Sequence, residues 1–120
     1  MTTRLSRAAL VAATVSLALP AGAVAHSGIK SRSPKAGGTA SRSLGSVRVT
    51  FDDRVLDANL TVRTASGRVV SIGSGSLNGT KTRVRVRLRG GLSAGRYRAT
   101  VRFLADDGHP QQSSWNFRLR

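Results

Sequence analysis

The 120-residue chain contains no cysteine and no glutamate, and only one methionine and two histidines. Without cysteine there can be no disulfide, no thiolate zinc site and no lipidated cysteine at a processed N-terminus. Aromatics are nearly as scarce: three phenylalanines, one tyrosine and one tryptophan. All five share the apolar phase of their predicted strands, which leaves none as a stacking platform for nucleic acid. Past residue 25 there is no long hydrophobic run. No serine or cysteine nucleophile stands beside a free base, so the sequence reads as a binding protein and not as an enzyme. Charge of one sign is also short, with five acidic residues, all aspartate, against twenty basic ones.

The first 25 residues read as a secretory signal. Arg4 and Arg7 form the basic segment, Ala8 to Leu19 the apolar one, and Ala23-Val24-Ala25 fits the A-x-A cleavage pattern. Ala21-Gly22-Ala23 fits it too, so cleavage after Ala23 is an alternative. The twelve-residue apolar run is too short for a comfortable membrane span. A cut after Ala25 leaves 95 residues, 26–120, enough for one domain with a modest core, in the periplasm or outside the cell. Their side-chain balance is +13, which favours weak association with an anionic envelope surface.

Past residue 26, hydrophobicity alternates with a period of two almost everywhere. Val47, Val49 and Phe51 alternate with polar neighbours, as do Leu60 and Val62. Val84, Val86 and Leu88 do so between arginines, then Tyr97, Ala99, Val101 and Phe103, and finally Trp115, Phe117 and Leu119. Strict alternation marks half-buried antiparallel strands. With a strand at 68–72 and a short one near Gly28–Ser31, seven strands are expected. Seven short strands in under a hundred residues predict an all-β, immunoglobulin-like Greek-key sandwich or barrel. Residues 33–46 and 73–80 are rich in serine and glycine and read as loops, the second as the most flexible.

The two histidines fall at chemically useful positions. Cleavage after Ala25 makes His26 the N-terminal residue, with an α-amine and an imidazole able to chelate one metal ion. His109 closes Asp107-Gly108-His109, and in an extended segment the two-residue spacing puts both side chains on one face. Asp-Gly is also a strong hairpin signal, in which case His109 is a residue of a surface turn. Amine, imidazole and carboxylate donors suit Cu(II) better than the tetrahedral, sulfur-rich preference of structural zinc. The expected metal ligands are therefore His26, Asp107 and His109, with one Cu(II) per chain. Asp106 reads as a solvated side chain or as an acceptor orienting a ligand.

His26 after its cleavage motif, Ser33-Pro34-Lys35-Ala36-Gly37, Val47–Phe51, Gly95-Arg96-Tyr97-Arg98 and Asp107-Gly108-His109 before an aromatic strand together resemble the CopC family of secreted copper-resistance domains. The resemblance spans essentially all of 26–120. It implies a seven-stranded Greek-key β-barrel or sandwich that binds Cu(II) through the N-terminal amine and imidazole and the D-G-H carboxylate and imidazole. It also implies a monomer that sequesters copper or hands it to a CopD-like membrane transporter. Some relatives hold Cu(I) in a methionine-rich loop. Here the only methionine is Met1, so no thioether site is expected. The stretch before D-G-H lacks the family's usual tryptophan, and Gln111-Gln112-Ser113-Ser114 replaces a usual glycine.

Two other readings compete. Lys81, Arg83, Arg85, Arg87 and Arg89 would line one strand face, and Arg96, Arg98 and Arg102 the same outward surface, making a module for anionic envelope polymer. An N-terminal histidine with a second histidine also resembles the copper brace of lytic polysaccharide monooxygenases. Those proteins are larger and often present aromatic surfaces, and Asp107 would crowd the position where oxygen binds. Asn59-Leu60-Thr61 and Asn78-Gly79-Thr80 match glycosylation sequons, the first in a predicted strand and the second in a turn.

Overall fold

The computed structural model describes residues 28–120. The signal segment, both cleavage motifs and His26 lie outside the described residues.

Eight strands form two four-stranded sheets. They are β1 (Ile29–Ser33), β2 (Thr39–Ala40), β3 (Ser46–Phe51), β4 (Val55–Thr64), β5 (Ser71–Leu77), β6 (Arg83–Leu88), β7 (Gly95–Ala105) and β8 (Pro110–Leu119). One sheet runs β1-β3-β6-β5 and the other β2-β8-β7-β4, with all pairings antiparallel except β2 with β8. This is the expected β-sandwich. Six of the seven anticipated strands are present, the one expected at 68–72 is displaced to Ser71–Leu77, and the eighth is the two-residue β2 within the segment read as a loop.

The alternation becomes burial directly. In β6 each valine or leucine is buried and each arginine exposed, and β3 and β7 follow the same period. Val47, Val49, Val84 and Val86 from one sheet meet Leu60, Val62, Val101 and Phe117 from the other, all at most 1 % exposed. β-branched side chains suit this pleated, half-buried setting. All five aromatics are buried, with Phe51 against Phe103 and Tyr97 stacked on Phe117.

Each long edge of the sandwich is closed by a polar link. On one side the buried Ser71 hydroxyl accepts the Val62 N–H at 3.0 Å, tying β5 to β4. On the other, the Trp115 indole N–H donates to the Pro34 carbonyl at 2.9 Å. The Arg32 guanidinium lies 5.3 Å above the Trp115 ring and donates to Ser113 Oγ at 2.9 Å. β1, the strand nearest the N-terminus, is thereby fastened to β8.

The structure corrects three expectations. Residues 73–77 belong to β5 and do not form a flexible loop; the glycines serve a bulge in that strand. Lys81 is not aligned with the β6 arginines, because it sits in the β5–β6 turn at φ 56°. The arginines also do not share one surface. Arg83, Arg85 and Arg87 lie on β6, whereas Arg96, Arg98 and Arg102 lie on β7 in the other sheet. Since both sheets turn their apolar side chains inward, the two sets face opposite sides of the sandwich.

Candidate metal centre

Asp107 and His109 occupy the hairpin joining β7 to β8. Gly108 N–H donates to the Ala105 carbonyl at 2.9 Å, and Ala105 N–H to the His109 carbonyl at 3.0 Å. Three residues, 106–108, thus connect the strands, and Gly108 takes the left-handed conformation at φ 85° that such a loop requires at its last position. The turn reading of Asp-Gly is therefore correct, and the segment is not extended. The turn nevertheless brings the two side chains together. Asp107 Oδ1 accepts the His109 backbone N–H at 3.0 Å, and Oδ2 lies 3.0 Å from His109 Nδ1.

The 3.0 Å between that carboxylate oxygen and imidazole nitrogen is informative. Two donors at right angles around a metal, each about 2.0–2.1 Å from it, are about 2.9 Å apart. A hydrogen-bonded carboxylate and imidazole have the same spacing, so the distance is compatible with either arrangement. Both side chains are well exposed, at 68 % for His109 and 45 % for Asp107, so an ion can reach them from solvent.

Three strand connections put the N-terminal segment at the same end of the sandwich. Ile29 pairs with Phe51, and the Gly28 carbonyl accepts the Asp52 N–H at 2.8 Å. The β3–β4 connection then carries Arg54 to within 3.5 Å of Asp106 Oδ1 in the 106–108 turn. Val55, which opens β4, pairs with Ala105, which closes β7. His26 lies outside the described residues, two positions before Gly28 in the sequence.

Among the described residues no three histidine, cysteine, aspartate or glutamate side chains are grouped closely enough to hold a metal ion. Asp107 and His109 supply two donors, and completing a copper site calls for others. Asp106 meets Arg54 in an exposed ion pair, which gives it a role in fastening the turn to the β3–β4 connection.

Sequence reasoning missed the residues around the turn. Asp52 and Asp53 lie in the β3–β4 connection, and Asp57 lies near the start of β4 opposite Leu104. With Asp106 and Asp107 these are all five acidic residues of the chain, gathered at one end of an otherwise basic body. The available signal was the adjacent pair Asp52-Asp53 at the end of a strand. Carboxylates at this end lessen the repulsion that a cation meets from the arginines elsewhere, in part countered by Arg54 beside Asp106.

The sequence profile of the CopC domain matches residues 29–120. Comparison with curated proteins by sequence returns no match. Among solved structures, CopC from Methylosinus trichosporium OB3b superimposes with a TM-score of 0.71 at 21% identity, covering 78% of this chain and 93% of that one. PcoC, a methionine-rich copper resistance protein from Escherichia coli, gives a TM-score of 0.64 at 22% identity, covering 80% and 100%. At these identities the superpositions speak for the fold.

Proposed function

Because the chain belongs to the CopC family of copper-resistance proteins, we propose that it binds one Cu(II) ion at the end of the sandwich formed by the 106–108 turn. His26, freed by cleavage after Ala25, would supply its α-amine and imidazole, with the Asp107 carboxylate and the His109 imidazole as the remaining donors. This nitrogen- and oxygen-rich set suits Cu(II). The carrying observation is the 3.0 Å approach of Asp107 Oδ2 to His109 Nδ1, at the end of the sandwich where Gly28 bonds to Asp52. The carboxylate also offsets part of the charge of the ion.

The protein acts, in this reading, as a monomeric periplasmic or extracellular carrier. It holds copper away from harm or releases it to a CopD-like membrane transporter. An exposed site on a turn suits transfer, since a partner can approach the ion without opening the fold. Catalysis is not part of the reading.

The test is N-terminal sequencing of the secreted protein followed by Cu(II) titration with electron paramagnetic resonance. A chain starting at His26 that binds one equivalent with nitrogen hyperfine coupling supports the proposal. A chain starting at Val24 sinks the amine chelate even if some copper still binds.

A further inference from the structure

A polar cleft lies on the outer face of the β2-β8-β7-β4 sheet, apart from the 106–108 turn. It is made by the bulge in β5. Ile72 pairs with Arg87 and Ser76 with Arg85, so β5 takes four steps where β6 takes two. Gly73 and Gly75 allow this with φ of 72° and 91°. A Cβ at Gly75 would also come within 3.1 Å of the Arg85 carbonyl oxygen, so a side chain there would press on β6. Bulges commonly re-aim a side chain, and this one brings Ser74 to a cleft of about 230 Å3 shared with Asn59, Thr61 and Arg63 of β4 and Thr100 and Arg102 of β7.

Those six side chains bring two guanidinium groups, three hydroxyls and one carboxamide, and no carboxylate. Every one of them can donate hydrogen bonds. The Arg102 Nε–H is already committed to Gln112 Oε1 at 3.1 Å, which fixes that side chain and leaves its terminal nitrogens for a ligand. Thr100 Oγ1 shares a 2.9 Å bond with Ser114 Oγ. Asp57, which borders a neighbouring depression with Asn59 and Arg102, forms no ion pair with either guanidinium among the described residues. Strand register also sets Arg63 directly opposite Arg98 and Arg96 opposite Arg118. Like charges held opposite each other in a sheet cost stability, and a bound anion relieves that cost.

We propose that this cleft binds a phosphoryl group. Guanidinium forks match phosphate oxygens in pairs, and hydroxyls on three strands provide donors for the remaining oxygens. The ligand is either free phosphate or the phosphodiester headgroup of an anionic lipid. The cleft opens on the sheet that also carries Arg96, Arg98 and Arg118. The proposal does not rest on copper binding.

The experiment titrates inorganic phosphate into isotope-labelled mature protein and follows backbone amide shifts, with vesicle co-sedimentation alongside. Arg63→Gln with Arg102→Gln is compared with Arg85→Gln with Arg87→Gln, which removes equal charge from the opposite sheet. Saturable shifts confined to 59–63, 74 and 100–102, weakened at least tenfold in the cleft variant and less than threefold in the control, are expected. Capture by phosphatidylglycerol but not phosphatidylcholine vesicles, lost in the cleft variant alone, identifies the headgroup as the source. Capture that is absent or equal in both variants, with the phosphate shifts retained, identifies free phosphate. Absence of saturable shifts, equal weakening in both variants, or acetate binding as tightly as phosphate overturns the proposal. Copper titration of the cleft variant should match that of the native chain, which keeps the two sites separable.

Discussion

Replacing Asp107 with asparagine separates the proposed metal-binding part of this side chain from its structural part. Asparagine keeps an amide oxygen where Oδ1 accepts the His109 N–H, so the turn retains that bond and its two backbone bonds. What is lost is the negative charge and the anionic oxygen 3.0 Å from His109 Nδ1. That contact is well exposed, so its share of folding stability is at most about 1 kcal/mol and should fall near zero at moderate salt. For a domain of this size, 1 kcal/mol corresponds to a change in Tm of about 4–8 °C, and the expected shift is below about 4 °C. Copper should respond far more. Loss of a ligand, or even of a group orienting one, costs about 10- to 100-fold in metal affinity, equivalent to about 1.4–2.8 kcal/mol. Asp107→Ala should be at least as poor a binder and slightly less stable, because it also removes the acceptor for the His109 N–H. Competition titration against a chelator of known Cu(II) affinity, with circular dichroism for Tm, measures both quantities. An Asp107→Asn protein that binds Cu(II) within twofold of the native affinity, with an unchanged paramagnetic spectrum, would refute the carboxylate's role at the site.

Adding one glycine ahead of His26 moves the α-amine off the histidine chelate and should weaken Cu(II) at least as much as Asp107→Ala; the same chelator competition reads it, and native affinity in the extended chain would contradict the amine ligand. Titration under reducing conditions should show no tight Cu(I) equivalent, since the chain has no cysteine and, past residue 1, no methionine. Trp115→Phe keeps most of the apolar volume but leaves the Pro34 carbonyl without its indole donor, and should lower stability by about 1–3 kcal/mol in chemical denaturation.

Much of the sandwich was legible because burial in it follows a period of two. Val84-Arg85-Val86-Arg87-Leu88 alternates in sequence and alternates in exposure, and nothing in its tertiary context overrides the pattern. β5 was misread for a matching physical reason. Ser-Ile-Gly-Ser-Gly-Ser-Leu has little apolar content and two glycines that ordinarily punctuate a chain, yet it is held as an edge strand by its ladder to β6. Backbone hydrogen bonds to an already formed neighbour leave no trace in side-chain patterning. The arginines show the same limit from another side. Alternation says which residues of a strand point outward, but not which of two sheets the strand joins, and the side of the molecule on which a charge lies depends on that choice.

The 106–108 turn was partly legible because Asp-Gly fixes a local geometry, and that turn also brings the two side chains of the proposed site together. A three-residue hairpin closed by a left-handed glycine is what brings a carboxylate oxygen to 3.0 Å from the following imidazole. The surrounding charge could not be read locally. Asp52-Asp53 and Asp106-Asp107 are separated by more than fifty residues, and they reach one end only because β3 runs into β4 and Val55 pairs with Ala105. Over residues 28–120, whose 18 basic and five acidic side chains balance at +13, five carboxylates scattered evenly would be outnumbered by basic groups on every surface. Instead the β3–β4 connection and the 106–108 turn bring carboxylates to the same end of the sandwich, which lessens the repulsion a divalent cation meets there.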